Sequence, residues 1–355
     1  MMKEIETELR KQVDEHYTPS IQYAFFDQAH VRHRYSFGMA DVRNAIPVDA
    51  LTTYHGFSTT KTFTALAILQ LAEQGLLDIH DPVIKYIPEF LYAPTTTIRH
   101  LLTHTAGIPN PVPLSWIHPL SERETFDSDH FFNAIMAKNK KAKSAPNEKF
   151  AYSNLGYILL GQVIARVTGL SYEDYITTHI ISRLGLGPDQ LGFEIYNSRR
   201  NATGYHKQKS FSNMILGLFL DKAKFMGEAE DGWKPFKDYY INGAPYGGLI
   251  GTADAYVKYV QELLKQDCSL INSSLKKRMF EENHPNNGKA TGMCLSWYTG
   301  MLKGHRYCHH AGGGGGYYCE IRIYPEQGVG SVVMFNRTGM TDERFLDKID
   351  QYLIK

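Results

Sequence analysis

Strand-like segments lie near both ends of this 355-residue chain, and the long stretch between them has mostly helical patterns. Residues 21–27 and 31–39 are apolar or aromatic runs on either side of a short polar turn, which is typical of an antiparallel hairpin. Residues 317–324 and 329–336 form a second β-prone pair around the turn-rich tetrapeptide at 325–328. Two hairpins so far apart predict one antiparallel sheet built from both chain ends, with a mostly helical lobe inserted between them.

Helical patterns also flank these hairpins. Residues 3–15 have helical spacing, and Lys61–Gln74 is apolar on most sides and stops at Gly75. Further helices are predicted at Ile98–Thr103, Leu155–Thr168, Tyr172–Arg183 and Ala253–Lys265, a strand at Gly247–Gly251, and a last helix capped by Thr341 with Phe345, Leu346, Ile349 and Leu353 on one face. The predicted class is α+β (mixed α/β), a sheet flanked by helices.

We expect a single domain over residues 1–355, because 43% hydrophobic and 12% aromatic residues can form a large core. It would consist of an α/β lobe, residues 1–75 and 241–355, and a mostly helical lobe, residues 76–240. The sequence leaves the oligomeric state open.

Charge and apolar content restrict the partners of this chain. Lys and Arg total 38 against 37 Asp and Glu, and a net charge of +1 provides no field that would attract nucleic acid or an anionic membrane. The first residues lack the basic and apolar stretches of a signal peptide, and no apolar run reaches the roughly 18 residues of a membrane span. With the charge balanced, a small-molecule or short-peptide substrate is the expected partner. Four cysteines without a CxxC pair favour a reduced, cytoplasmic protein.

Ser58-Thr59-Thr60-Lys61 lies where a strand-like segment ends and a helix begins, so Ser58 and Lys61 are one helical turn apart on the same side. A lysine in a dry site has a lowered pKa and can accept the proton of the serine hydroxyl. The alternative is a helix-capping serine beside a solvated lysine. The pattern recurs at 273–276 and 274–277, where we interpret Ser273 and Ser274 as helix caps.

Two further motifs contain side chains that can take part in catalysis. Tyr152-Ser153-Asn154 precedes a predicted helix, where a tyrosine can relay a proton and Asn154 can bind a substrate carbonyl; a packed aromatic and a capping asparagine are the alternative. His310-Ala311-Gly312 leads into a glycine run and then a strand. Glycines there let a substrate backbone approach the strand edge and provide N–H groups to an oxyanion hole, the alternative being a glycine-rich turn.

In this order, Ser-x-x-Lys, Tyr-x-Asn and His-x-Gly resemble the three active-site elements of the serine β-lactamase and penicillin-binding-protein superfamily. The surrounding residues 100–109, 146–161 and 246–253 are similar to class C β-lactamases and D-peptidases. The resemblance extends from about residue 20 to the C-terminus. It implies a β-lactamase/transpeptidase-like fold and a serine hydrolase that acts through an acyl-enzyme, with no cofactor and no metal.

Roles follow from the resemblance by matching positions. They are Ser58 as nucleophile, Lys61 as its base, Tyr152 as proton shuttle, Asn154 as a partner of substrate or lysine, His310 at the start of the third motif, Gly312 and Gly313 in substrate binding, and Tyr246 as a substrate contact. The oxyanion hole would use the N–H groups of Ser58 and Gly313.

The third motif has histidine where many β-lactamases and transpeptidases have lysine. Histidine is largely neutral at pH 7, whereas lysine can anchor a substrate carboxylate. His-x-Gly is found in family members that act as D-aminopeptidases, D-amidases and esterases, so the expected substrate is an ester or a D-amino-acid amide or peptide. The alternatives are a class C-like β-lactamase, a D-Ala-D-Ala carboxypeptidase, and a penicillin-binding sensor that acylates without turnover.

Other classes of site fit less well. An α/β-hydrolase needs Gly-x-Ser-x-Gly, but Gly56–Thr60 lacks the second glycine. His100 and His104 have the spacing of a zinc site without its glutamate, and Cys308-His309-His310 lacks a second ligand cluster, so we interpret both sets as structural. The basic run at 138–143 has no interleaved aromatics and is interpreted as a solvated loop.

Overall fold

The two ends of the chain meet in one sheet in the computed structural model, which describes residues 2–210, 216–338 and 344–355. Its strands are β1 (Ser20–Asp27), β2 (Val31–Asp41), β3 (Ile46–Pro47), β4 (Thr53–His55), β5 (Ile117–Pro119), β6 (Leu191–Gly192), β7 (Tyr205–Lys207), β8 (Trp233–Pro235), β9 (Tyr239–Ile241), β10 (Ile250–Thr252), β11 (Tyr298–Leu302), β12 (His305–Gly314), β13 (Tyr317–Tyr324) and β14 (Val329–Phe335). Seven of them pair in the order β11-β12-β13-β14-β1-β2-β3, and every neighbouring pair is antiparallel. Because β1 pairs with β14, with Ile21 opposite Phe335, the predicted sheet from both chain ends is confirmed.

Helices lie within one residue of the bounds predicted at 3–15, 61–74, 98–103, 155–168 and 253–265, whereas the helices at 128–138, 222–225, 244–247 and 273–279 had not been predicted with bounds. The described residues contain eleven α-helices. They are α1 (Met2–Asp14), α2 (Thr60–Glu73), α3 (Ile98–Leu102), α4 (Ser128–Lys138), α5 (Asn154–Thr168), α6 (Tyr172–Ile176), α7 (Lys222–Phe225), α8 (Ala244–Gly247), α9 (Ala253–Leu264), α10 (Ser273–Met279) and α11 (Leu346–Asp350). Short 3-10 turns cover Phe57–Thr59, Val83–Lys85, Leu120–Glu122 and Ser182–Leu184, and a π-helical turn covers Thr177–Ile181.

The strand predicted at 247–251 is wrong in its first half. Residues 244–247 form α8, and the strand β10 begins only at Ile250. Pro245 lies in the first turn of α8, where its fixed φ and missing N–H suit the start of a helix. The strand prediction relied on the glycine-containing residues 247–251 and did not consider Pro245 as the start of a helix.

The segment between 76 and 240 contains α3 to α7, of which α3, α5 and α6 were predicted by position, together with most of the short strands β5 to β9, which were not predicted. These strands have two or three residues each, too few to show a period of two in the sequence. The division into two lobes stays a prediction. Among the described helices, none has both the length and the apolar character needed to cross a membrane.

Both faces of the sheet are covered, which explains why β1 is buried along almost its whole length. On one face, α1 and α11 pack through Ile5, Leu9, Leu346 and Ile349. The predicted apolar face of the last helix is confirmed, because Phe345, Leu346 and Ile349 are buried and Leu353 packs partly buried against them. Its predicted cap, Thr341, lies outside the described residues.

On the other face of the sheet, a large apolar core surrounds α2. Every residue from Thr60 to Leu71 is buried, so the helix that follows Ser58 lies in the middle of the protein. Any charged group on its first turn is therefore removed from water.

Candidate active site

The side chains of the first two motifs meet at Ser58. Its Oγ lies 3.0 Å from Nζ of Lys61 and 2.8 Å from the hydroxyl oxygen of Tyr152. Ser58 belongs to the 3-10 turn before α2, and the residue that precedes α2 is Thr59, whose side chain makes no capping hydrogen bond. The alternative role of Ser58 as a helix cap is therefore not observed.

Lys61 is fully buried, and this burial lowers its pKa well below the usual 10.5. Its Nζ donates a hydrogen bond to the carbonyl oxygen of Tyr246 at 2.7 Å. The rings of Tyr152, Tyr157 and Tyr246 surround it, with centroids 5.1, 5.5 and 5.2 Å from Nζ. An amine with a lowered pKa gives up its proton more readily, so an amine 3.0 Å from a hydroxyl can act as the base for that hydroxyl.

The backbone just before Ser58 has an unusual conformation. Phe57 has a φ of +47°, in the left-handed region that residues with a side chain seldom adopt. Such strained positions cluster at functional sites, where the surrounding structure holds them. The sequence contained no signal for this, because a phenylalanine does not favour a positive φ.

Gly312 in β12 packs against the backbone of this turn. A Cβ at Gly312 would lie 2.3 Å from the carbonyl oxygen of Gly56 and 2.6 Å from the backbone nitrogen of Ser58, so only glycine fits. Gly314 and Gly315 lie against the ring of Phe57. The first part of the glycine run, up to Gly314, thus belongs to strand β12 beside the Ser58 turn. The glycine-rich turn of the alternative interpretation is also present, at Gly315 and Gly316.

We expect Gly312→Ala to reduce kcat at least about 10²-fold, the scale for losing one oxyanion-hole donor. The new methyl group would push the Ser58 N–H away from the strand. Gly313→Ala should lose much less, since a Cβ there lies 3.6 Å from the Tyr317 carbonyl oxygen, an ordinary contact. Steady-state kinetics of both variants, with thermal unfolding to compare their stability, would test this; equal losses would contradict it.

The imidazole of His310 is buried and neutral. Its Nδ1–H donates to the carbonyl oxygen of Ser296 at 2.5 Å. Burial, with a smaller effect from the Lys61 charge, lowers the pKa of His310 from 6.5 to about 3. The third motif therefore presents no positive charge at neutral pH.

Asn154 is the first residue of α5, and Ser153 caps this helix by accepting a hydrogen bond from the N–H of Gly156 at 3.2 Å. The alternative role of Asn154 as the cap is therefore wrong. Its own N–H donates to Oδ1 of Asn110 at 3.0 Å. Its side-chain Oδ1 is buried and has no hydrogen-bond partner within the described residues, which leaves an amide beside Tyr152 for a ligand.

Tyr246 contributes its backbone to the site. Its carbonyl oxygen accepts the hydrogen bond from Lys61, and its ring is buried against Trp116 and Phe132, with centroids 5.8 and 6.3 Å away. Since a carbonyl has no residue-specific signature, the sequence could not indicate this contact.

The histidines of the zinc alternative make structural contacts. Nδ1 of His100 accepts from the N–H of Thr97 in a capping box, and Nδ1 of His104 accepts from the N–H of Ser153 at 3.1 Å. In the described parts of the chain, no group of three or more His, Cys, Asp or Glu side chains could hold a metal.

The capping roles predicted for Ser273 and Ser274 are wrong. Asn272 caps α10 by accepting from the N–H of Leu275 at 2.9 Å, and both serines lie inside the first turn. Because the helix begins one residue earlier than a Ser273 cap would require, Asn272 satisfies one of its first free N–H groups and the serines are not needed as caps.

A family model described as beta-lactamase matches residues 5–353. The chain belongs to the beta-lactamase family. It is 28% identical over 296 residues to penicillin-binding protein 4* of Bacillus subtilis (strain 168), a match that covers 81% of this chain and 61% of that protein. This beta-lactamase family member therefore spans about three fifths of that curated relative.

Two solved structures have the same fold as this beta-lactamase family member. The octameric penicillin-binding protein homologue from Pyrococcus abyssi has a TM-score of 0.78 at 25% identity, over 96% of this chain and 74% of that one. The D-amino acid amidase from Ochrobactrum anthropi SV3 also has a TM-score of 0.78, at 19% identity, over 99% and 97% of the two chains. The predicted β-lactamase/transpeptidase-like fold is confirmed.

Acid should destabilise this family member through its buried neutral histidines. Burial lowers the pKa of both His55 and His310 to about 3, from 6.5 in the unfolded chain. Between these values the unfolded state binds more protons, so stability falls as the pH falls, by about 1.4 kcal/mol per pH unit for each histidine. Urea unfolding at pH 7, 6 and 5 would measure this slope.

His55→Phe provides the control for this slope. The His55 ring stacks on Tyr239 at 4.8 Å, and neither ring nitrogen has a hydrogen-bond partner within the described residues, so phenylalanine can replace it. The variant should lose less stability than the wild type between pH 7 and 5. Identical slopes for the two proteins would contradict the assignment to His55.

Proposed function

We propose that this beta-lactamase family member is a serine hydrolase that forms an acyl-enzyme on Ser58. The observation that carries the proposal is the position of Ser58 Oγ between Lys61 Nζ at 3.0 Å and the Tyr152 hydroxyl at 2.8 Å. A hydroxyl is a weak nucleophile at pH 7, and it needs an adjacent base with a matched pKa. Burial lowers the pKa of the adjacent Lys61 amine, which supports this role for Lys61.

In acylation, the lone pair of the Lys61 amine accepts the Ser58 hydroxyl proton while Oγ attacks the substrate carbonyl carbon. The carbonyl oxygen becomes an oxyanion, for which the N–H groups of Ser58 and Gly313 are the candidate donors. Tyr152 passes the proton that Lys61 took up to the leaving alcohol or amine as the carbon–leaving-group bond breaks, which restores the Lys61 amine. Water then attacks the ester on Ser58, which releases the acid and restores the hydroxyl.

The proposed substrate is an ester or a D-amino-acid amide or peptide, as for a D-aminopeptidase or esterase. The neutral, buried His310 supports this choice. Where a family member has lysine at this position, a fixed charge can anchor a substrate carboxylate; here that charge is missing. Substrates with a free carboxylate next to the scissile bond, such as D-Ala-D-Ala peptides and most β-lactams, should therefore react more slowly.

A non-turnover penicillin-binding protein is the second candidate, because the chain is 28% identical to a penicillin-binding protein over most of its length. A burst of acylation without steady-state turnover would distinguish it from a hydrolase. For either candidate we also propose a cytoplasmic location. The four cysteines, none of which forms a disulfide, support it.

Intact-protein mass spectrometry after treatment with a fluorophosphonate or benzylpenicillin tests the acyl-enzyme. We expect one added group on Ser58 with the fluorophosphonate. A parallel assay of nitrophenyl esters, D-alanyl amides, D-Ala-D-Ala peptides and a chromogenic cephalosporin tests the substrate class. Absence of any adduct on Ser58 would overturn the proposal, and faster turnover of the cephalosporin than of the esters and amides would support the class C-like alternative.

A further inference from the structure

His104 contacts the turn that carries Tyr152 at three points. Its carbonyl oxygen accepts from the N–H of Ala151 at 2.7 Å, and its Nδ1 accepts from the N–H of Ser153 at 3.1 Å. Its ring lies against the ring of Tyr152, with centroids 4.3 Å apart. The residues on both sides of Tyr152 and its ring are thus all in contact with one histidine.

The conformation of His104 is itself well defined. The side chain is buried, with 2% of its surface exposed, and the backbone has a φ of +54°. Because Nδ1 accepts a hydrogen bond, the ring proton must lie on Nε2, so the imidazole is neutral. Burial and the Lys61 charge lower the pKa of His104 well below 6.5, which preserves this form at neutral pH.

We infer that His104 is a positioning residue that holds the Tyr152 hydroxyl at hydrogen-bond distance from Ser58. The inference rests on the proposed function and adds a residue to its machinery. A phenol lies far from its own backbone, so a small rotation of the turn displaces the hydroxyl by about an ångström. A displacement of that size can cost about 10²-fold in rate.

Three substitutions separate the acceptor atom from the volume of the ring. Asparagine places its amide oxygen near the position of Nδ1 and tolerates a positive φ, so His104→Asn keeps the bond to Ser153. His104→Leu has a similar volume and no acceptor. In His104→Gln the longer side chain is polar, but its amide lies near the position of Nε2 and not of Nδ1. This variant still tests the acceptor if the leucine variant fails to fold.

We expect His104→Leu and His104→Gln to lower kcat for the best nitrophenyl ester about 10- to 100-fold, with KM changed less than about threefold, and His104→Asn to retain activity within about fivefold. Far-UV circular dichroism and thermal unfolding would verify that the variants are folded. Equal activity of the glutamine and asparagine variants would overturn the inference.

A double-mutant cycle with Tyr152→Phe tests whether His104 acts through Tyr152. If it does, His104→Gln should have little further effect once the hydroxyl is absent. The same fold-loss in both backgrounds would indicate a general structural role and overturn the inference. The two failures are distinguishable, because an unlabelled Ser58 in the wild type ends both proposals, whereas a labelled Ser58 with unaffected His104 variants ends only this one.

Discussion

Ser58→Ala is expected to lower kcat/KM for the best ester or amide substrate by about 10³-fold or more, the usual scale for removal of a nucleophile. The substitution removes the oxygen that lies 3.0 Å from Lys61 Nζ and 2.8 Å from the Tyr152 hydroxyl. It removes one atom from a half-buried position, so the fold should persist. Steady-state kinetics and mass spectrometry with a fluorophosphonate would measure the loss of turnover and of the adduct.

Ser273→Ala is a matched control for Ser58→Ala. Ser273 begins a second Ser-x-x-Lys pattern, but it is exposed on the first turn of α10. Its substitution should leave kcat/KM unchanged within about twofold, since surface changes of this kind seldom matter. Hydrolysis that survives in Ser58→Ala, or an adduct on Ser273, would contradict the assignment of the nucleophile.

Lys61→Met is expected to reduce acylation of Ser58 by about 10³-fold, because methionine has a similar length but cannot accept a proton. Stability should stay the same or increase by about 1 kcal/mol, since an apolar side chain replaces a buried amine. The rate of fluorophosphonate labelling at pH 7 and thermal unfolding would measure the two effects separately. Lost activity combined with retained stability would exclude simple misfolding.

The pH dependence of stability gives a second measure of Lys61. The pKa of its amine is lower in the folded protein than in the unfolded chain, so unfolding free energy rises with pH between these two values. Lys61→Met should remove this rise, whereas Lys276→Met, at the equivalent position of the second Ser-x-x-Lys pattern, should keep it. Labelling of Lys61→Met at the wild-type rate would show that Lys61 is not the base.

Local sequence patterns were sufficient to predict four of the seven strands of the main sheet and most helices, whereas β3, β11 and β12 were not predicted. The strands β1, β2, β13 and β14 have seven to eleven residues each, long enough for their composition and their turns to be recognised. The three motifs were likewise recognised, by their order along the chain, because Ser-x-x-Lys alone recurs at 273–276 and 274–277.

The sequence could not predict the short strands β5 to β9 or α8, because two to four residues show no periodicity. Nor did it distinguish Ser153 from Asn154 as the cap of α5, since both residue types favour that position. Contacts between distant segments were hidden for a different reason. The approach of Gly312 to the Ser58 backbone and of His104 to the Tyr152 turn both depend on how the folded chain packs.

The sequence by itself determined which chemical groups are present and in what order: a hydroxyl and an amine one helical turn apart, then a phenol, an amide and an imidazole. Only the tertiary structure decided their state. Lys61 is a candidate base because α2 lies in the middle of the core, and His310 is neutral because β12 is covered. Desolvation depends on everything that surrounds a group, and residues hundreds of positions away supply those surroundings, so no local pattern can encode it.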